Sequence, residues 1–248
     1  MLEQGPAERK LLLRIRKAPI CAALIDPEDF TPAHAGRTAA SAVRAGVSVI
    51  LVGGSTLSDQ KKLDAVVKAI KNHVTCDVIL FPGNITGVSK YADAILFSSL
   101  LNSTNPYFII GAQALGAMEV HKAGIESIPM GYLVFGNMSA TSFIGQVNSL
   151  PTTKPSLAVI YALAARYLGM RSLYLEAGSG ADDPVPSPTI KLVRNYYDGI
   201  LIVGGGITSP DAARRISRAG ADIIVIGNLL QTHGFEGKLK QIVAAIRT

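Results

Sequence analysis

Tryptophan is absent from these 248 residues, cysteine occurs twice, and only 17% of the chain is charged. Cys21 and Cys76, about 55 residues apart in apolar segments, are too few for a disulfide framework and lack metal-ligand spacing. They read as buried thiols of a reduced, cytoplasmic protein. So few charges beside an apolar fraction of 48% exclude a disordered chain. Long hydrophobic runs are also missing. None reaches the roughly 18 uninterrupted apolar residues of a spanning helix, since Gln113 interrupts Tyr107 to Met118 and Glu119 follows. No transmembrane segment is expected. The N-terminal MLEQGPAERKLLLRIRK mixes charges with leucines at helical spacing and does not read as a signal peptide. The net charge of +6 comes from lysines and arginines scattered over helical faces, without runs or interleaved aromatics. Nucleic acid is therefore not an expected partner, whereas anionic small molecules or an anionic membrane surface suit the charge.

What is present is alternation. Short Val, Ile and Leu runs recur at intervals of about 25 to 40 residues, separated by amphipathic or alanine-rich segments. The spacing predicts eight strands, at Ile20–Ile25, Val47–Val52, Asp77–Phe81, Ala94–Phe97, Glu126–Val134, Leu173–Glu176, Gly199–Val203 and Asp222–Ile226. Helices are expected near Ala33–Ala45, Ser58–His73, Asn105–Ala123, Pro155–Leu168, Ser187–Asn195, Pro210–Ala219 and Phe235–Arg247, with an additional one near Pro6–Lys17. Between the third and fourth strands, Gly87–Ala92 leaves room for barely one turn. The strands are near-continuous apolar runs, as in a parallel sheet covered on both faces. Eight of them in about 250 residues fit an α/β chain folded as one (β/α)8 TIM barrel over residues 1–248, with an added N-terminal helix and an abbreviated third helix. A doubly wound sheet for nucleotide binding would carry a G-x-G-x-x-G turn after its first strand, and none is present. Ala45-Gly46, Ala123-Gly124 and Ala219-Gly220 mark helix ends where glycine takes a left-handed cap.

In such a barrel function lies at the carboxyl ends of the strands, where polar and glycine residues concentrate here. Gly204-Gly205-Gly206 after the seventh strand and Gly227-Asn228 after the eighth, about 23 residues on, suit a phosphate monoester, because glycine lets backbone N–H groups turn toward an anion. Glu176 ends the sixth run on the same side, followed by Gly178-Ser179-Gly180. It could accept a hydroxyl proton, or it could pair with an arginine. Asp182-Asp183, followed by Pro184, Pro186 and Pro188, read as a solvated loop. Asp26 after the first strand and Ser55-Thr56 after the second are hard oxygen donors suited to Mg2+, although Asp26-Pro27 alone could equally be a turn leading into a helix. His34, His73, His121 and His233 lie in or near helices and read as surface or packing residues.

Several phrases are specific enough to name a family. Leu24-Ile25-Asp26-Pro27, Gly53-Gly54-Ser55, Phe81-Pro82-Gly83-Asn84, Ala94 through Ser103, Tyr174-Leu175-Glu176-Ala177-Gly178-Ser179-Gly180, Val203-Gly204-Gly205-Gly206-Ile207 and Ile226-Gly227-Asn228 together closely resemble the geranylgeranylglyceryl phosphate synthases. The resemblance runs from the first strand to the eighth, and the Tyr174 to Gly180 block is its most specific part. It implies prenyl transfer in archaeal ether-lipid synthesis: the 3-hydroxyl of sn-glycerol 1-phosphate attacks C1 of geranylgeranyl diphosphate, and diphosphate leaves. On that resemblance Asp26 and Ser55 would hold Mg2+ on the diphosphate. Tyr174, Leu175, Glu176, Ala177, Gly178, Ser179 and Gly180 would hold the glycerol unit, with Glu176 drawing the proton. Gly205, Gly206, Gly227 and Asn228 would bind its phosphate.

An apolar groove must also hold the prenyl chain. Phe81, Phe97, Leu100 and Phe108 could line it, or could serve ordinary packing. The apolar excess suits a homo-oligomer as well, and the net charge suits two phosphorylated substrates. Three other readings compete. One is a bacterial-type relative using a longer prenyl donor. A phosphosugar isomerase or lyase would need a second acid or base, and no Lys, His or Cys ends another strand. The third is a metabolite-binding protein without catalysis.

Overall fold

The fold, taken from a computed structural model, is described for residues 4–247 apart from 55, 58, 137 and 138. Eight parallel strands, β1 (Ile20–Ile25), β2 (Val49–Val52), β3 (Val78–Leu80), β4 (Ala94–Leu100), β5 (Glu126–Val134), β6 (Ser172–Glu176), β7 (Ile200–Gly204) and β8 (Ile223–Ile226), close in chain order into a barrel. The helices around it are α1 (Pro6–Ile15), α2 (Pro32–Arg44), α3 (Gln60–Lys71), α4 (Ala112–Ala123), α5 (Ala140–Ile144), α6 (Pro155–Tyr167), α7 (Ser187–Arg194), α8 (Pro210–Arg218) and α9 (Phe235–Ile246). Proline at the first turn opens α1, α2, α6, α7 and α8, where its missing N–H costs nothing. Gly46, Gly124 and Gly220 all have positive φ where their helices end, as the Ala-Gly phrases predicted.

Strand alternation sorts the core into two layers. Ala22, Val49, Leu51, Ile79, Leu96, Met130, Tyr174, Ile202 and Val225 point into the barrel. Ala23, Ile50, Leu80, Leu133, Leu175, Val203 and Ile224 point outward against the helices. Cys21 and Cys76 lie in the outer layer as free buried thiols, and burial pushes Cys21 up to about 12.

The additional N-terminal helix closes the bottom of the barrel. Ala7 and Leu11 of α1 join the interior layer, and the Glu126 carboxylate accepts from the N–H groups of Ala7 (2.6 Å) and Glu8 (3.0 Å). Glu8, itself buried, takes a forked pair of bonds from Arg171 at 2.7 and 2.8 Å. Ion pairs thus gather at the face remote from the strands' carboxyl ends.

The third crossover departs furthest from a regular βα unit. Only a 3-10 turn, Ile85–Gly87, stands between β3 and β4, and β3 pairs with β4 through Ala94 and Ile95 alone. Beyond Ile95 the strand has no β3 neighbour, so this flank of the barrel is open. β4 is longer than the sequence suggests. Ser98 and Ser99 lie inside it, because it pairs with β5 through Leu100, opposite Tyr132. The expected helix near Asn105 begins instead as a π turn, Tyr107–Gly111, running into α4. The short α5 was not anticipated, since five residues carry no readable period.

Candidate active site

One cavity of about 270 Å³ opens at the carboxyl ends of the strands and continues along the open flank. Its polar end is built by the loops after β1, β6, β7 and β8, which contribute Asp26, Glu176, Ser179, Gly180, Gly205, Gly206, Gly227 and Asn228. Its other end is apolar, walled by Phe81, Ile95, Phe97, Leu100, Phe108 and Val120. The four residues expected to line a groove all do so.

Glu176 is 7% exposed, and burial pushes its carboxyl up to about 7. The N–H of Gly178 donates to Oε1 at 2.6 Å, and the Tyr174 hydroxyl also bonds the carboxylate; both oppose the rise without overcoming it. No arginine or lysine forms an ion pair with it among the described residues, which disposes of the structural alternative. A carboxyl balanced near neutrality and facing a cavity can take up a proton at physiological pH. Below it, Phe81 stacks on Tyr174 (5.1 Å between ring centres), and Tyr132 meets both edge-on at 5.4 and 5.2 Å. These rings seal the polar end from the barrel interior.

The glycines beside Glu176 are required by backbone shape. Gly178, Gly180, Gly205 and Gly206 have φ of +107°, +75°, +82° and +66°. Successive residues of this kind turn their N–H groups into a shared concavity that attracts anions. A Cβ on Gly205 would run into Oε1 of Glu176 and lie 2.8 Å from the backbone of Gly178. The Ser179 hydroxyl donates to Oδ1 of Asn228 at 3.1 Å, joining the loops after β6 and β8. We expect Gly205→Ala to cost about 1–3 kcal/mol of stability and to raise the KM for a phosphorylated substrate at least about tenfold. Thermal unfolding and initial rates at varied substrate would check both, and an unchanged KM would remove Gly205 from the anion site.

Not every residue of the Tyr174 to Gly180 block faces the cavity. Leu175 points the opposite way from Tyr174 and Glu176 and packs under the helices, as alternation along β6 requires. Ala177 also packs against the outer layer, and Gly178 serves Glu176 through its N–H. Of this block, Tyr174, Glu176, Ser179 and Gly180 line the cavity.

Asp26 is half-buried, and burial pushes its carboxyl above the usual range. Oδ1 accepts from the Glu28 N–H at 2.9 Å, while Gly54 lies so close that a Cβ there would overlap the carboxylate. Lys62, the cation that favours its ionised form, is itself held by Glu28 at 2.7 Å. Ser55, its expected companion, lies outside the described residues, as do Ser58 and Asn137. Thr56 and the Asp182-Asp183 pair stand exposed and do not line the cavity. None of the four histidines lines it either; His34 packs on Phe30 with ring centres 5.1 Å apart, and Nδ1 of His73 bonds the Ala69 carbonyl.

Asp26, Asp29 and Glu176 are the charged residues of the lining, and no lysine, arginine or histidine joins them among the described residues. The chain's positive charge therefore does not serve the site directly. An anion there would be met by backbone N–H groups, by neutral donors such as Ser179, Thr208 and Asn228, or by a bound cation.

One feature escaped sequence reasoning. The segment after β5 folds back over the site through bonds from three neighbouring side chains. Asn102 Nδ2 donates to the Asn148 carbonyl (3.0 Å), Ser103 Oγ to that of Gly145 (2.6 Å) and Thr104 Oγ1 to that of Gln146 (2.8 Å). They hold α5 so that Thr141, Ile144 and Gly145 line the cavity. A run of polar residues directly after a β4 recognised as longer would have been the signal.

Comparison with known proteins bears on this geometry. The PcrB family model matches residues 14–246. The chain belongs to the PcrB family. Among its relatives, the geranylgeranylglyceryl phosphate synthase of Cenarchaeum symbiosum is 51% identical over 98% of both chains. The enzyme of that name from Methanothermobacter thermautotrophicus is 50% identical over 92% of this chain and 94% of its own. The (S)-3-O-geranylgeranylglyceryl phosphate synthase of Thermoplasma acidophilum, solved with sn-glycerol-1-phosphate, superimposes with a TM-score of 0.94 at 37% identity over 99% of both chains. The PcrB chain thus shares the barrel of the Thermoplasma acidophilum enzyme over nearly its whole length.

Proposed function

We propose that the chain forms the ether bond between sn-glycerol 1-phosphate and geranylgeranyl diphosphate. The observation that carries this reading is the joined cavity. A neutral-poised carboxyl beside a glycine-built anion cradle opens directly into an apolar groove. A phosphosugar isomerase would have no use for that groove, and no Lys, His or Cys stands in the lining among the described residues to serve opposite Glu176.

In the proposed reaction the phosphate of the glycerol unit lies against Gly205, Gly206, Gly227 and Asn228, which leaves its 3-hydroxyl toward Glu176. Glu176 accepts the hydroxyl proton as the oxygen forms its bond to C1 of the prenyl chain, and the C1–O bond to diphosphate breaks with its electron pair leaving on diphosphate. Positive charge develops at C1 in the transition state, and the Phe81 ring in the cavity lining suits it. Fixing both reactants in one cavity makes the encounter effectively unimolecular.

Mg2+ belongs to this proposal. A lining whose charged residues are all carboxylates among the described residues favours a diphosphate that arrives with a cation, and no cluster of three metal-ligating residues exists among the described residues. Asp26 with Ser55 suits a Mg2+ that takes the rest of its shell from water and diphosphate oxygens. Bound there, Mg2+ would neutralise the charge on the departing diphosphate.

Incubation with sn-glycerol 1-phosphate, geranylgeranyl diphosphate and Mg2+ is expected to yield a lipid-soluble phosphate, and its absence would overturn the reading. A ladder of prenyl diphosphates then separates this donor from a longer one. Among the described residues no helix is long and apolar enough to cross a membrane. Exposed Ile160, Tyr167 and Leu168 on and beside α6 support a homo-oligomer, and the reduced thiols support a cytoplasmic setting with at most transient membrane contact.

A further inference from the structure

Gln113 is the one polar residue that interrupts the Tyr107 to Met118 apolar run, and it stands in the first turn of α4 beside the groove. Its Nε2 donates twice, to the Ser98 carbonyl of β4 at 2.5 Å and to the Phe108 carbonyl of the π turn at 3.2 Å. Both amide hydrogens are thereby used. Oε1 is buried and has no partner among the described residues. The amide cannot be turned round to relieve it, because the oxygen would then face two carbonyl oxygens. A buried acceptor left unpaired forfeits its hydration without recovering a hydrogen bond. The fold carries that cost at a position where a hydrocarbon side chain would leave no such acceptor.

The location explains what is gained. β4 has no β3 partner beyond Ile95, so the strand alone does not secure whatever covers this flank. The π turn covers it, and Phe108 on that turn forms part of the groove wall. The buried Ser99 side chain repeats the connection, since its Oγ donates to the Ile109 carbonyl at 2.7 Å. Two consecutive carbonyls of the π turn are thus fastened to β4 by side chains, and Gln113 bonds turn and strand simultaneously. Asp26, Glu176 and the glycine cradle take no part in these bonds.

We infer that Gln113 is a positioning residue for the prenyl donor, setting the width of the apolar groove by fixing the Phe108 wall to β4. The inference rests on the proposed function and assigns Gln113 to donor affinity alone. Gln113→Met keeps the side-chain length and removes both the two donors and the unpaired acceptor, so its losses and gains in folding stability oppose each other. The test measures binding of geranylgeranyl S-thiolodiphosphate, inorganic diphosphate with Mg2+, and sn-glycerol 1-phosphate by calorimetry, together with thermal unfolding.

The expected result is a rise of about tenfold in the Kd of the prenyl analogue, the equivalent of one lost hydrogen bond, with the other two ligands unchanged within about twofold. An unchanged analogue Kd, or equal weakening of all three ligands, would overturn the inference. Should Gln113→Met fail to fold, Ser99→Ala breaks the neighbouring fastening without adding volume and is expected to weaken the analogue selectively by about threefold; equal affinity there would count equally against it. If the unsubstituted chain bound the glycerol phosphate but no prenyl analogue, the functional reading would fail first and take this inference with it.

Discussion

Glu176→Gln is expected to lower kcat by about two to four orders of magnitude, the usual contribution of a positioned general base. The substitution keeps the shape of the side chain and leaves an amide oxygen for the Gly178 N–H, so the barrel should remain intact. The pH dependence follows from the same burial. The base works ionised, so kcat/KM should rise about tenfold per unit of pH from acid solution and level off above about 7. Stability runs in the opposite direction. Unfolding returns the carboxyl to its ordinary 4.5, so the unfolded chain releases the proton first as pH rises, and the fold loses stability between about 4.5 and about 7. The loss amounts to roughly 3 kcal/mol. Glu176→Gln escapes it and should resist urea better than the unsubstituted chain at pH 8 but not at pH 4. Rates in single-turnover mode with urea titrations at both pH values test the pair of effects. Near-normal ether formation in the variant would exclude Glu176 as the base.

Asp26→Asn carries the second large effect. Asparagine still accepts from the Glu28 N–H, which protects the turn after β1. What disappears is the carboxylate charge at the mouth of a cavity that offers a diphosphate no cationic side chain among the described residues. A metal contributes several kcal/mol to charge stabilisation, so kcat/KM for the prenyl donor should fall by about two to three orders of magnitude. The Mg2+ concentration needed for half-maximal rate should rise. Calorimetry of inorganic diphosphate in the presence of Mg2+ gives a readout independent of turnover and should show the same weakening, while sn-glycerol 1-phosphate binds as before. An unaltered Mg2+ response would make Asp26 a residue of the turn and nothing more. The two substitutions should therefore separate the nucleophile's end of the cavity from the leaving group's end.

Much of the site was legible because it is local in sequence. Glu176 ends a buried run, its glycines follow within four residues, and a barrel obliges strand ends to meet at one rim. Leu175 lies within the resembling phrase yet turns its side chain under the helices, because a strand sends alternate side chains to opposite faces. The groove itself was expected only as a need. Four of its residues were named, but the opening between β3 and β4, the π turn and the fold-back of the segment after β5 arise from pairings between distant segments.

The sequence by itself determined the eight strands and the helices that follow seven of them, the closure of a parallel barrel, the rim on which chemistry stands and the family resemblance, because hydrophobic period and glycine placement act over a few residues. Tertiary structure alone decided that Glu176 is buried enough to sit near neutrality, that the polar end lacks basic side chains among the described residues, and that the shortened third crossover leaves a groove. Burial and electrostatics depend on which segments come together, and no local pattern in the chain records that.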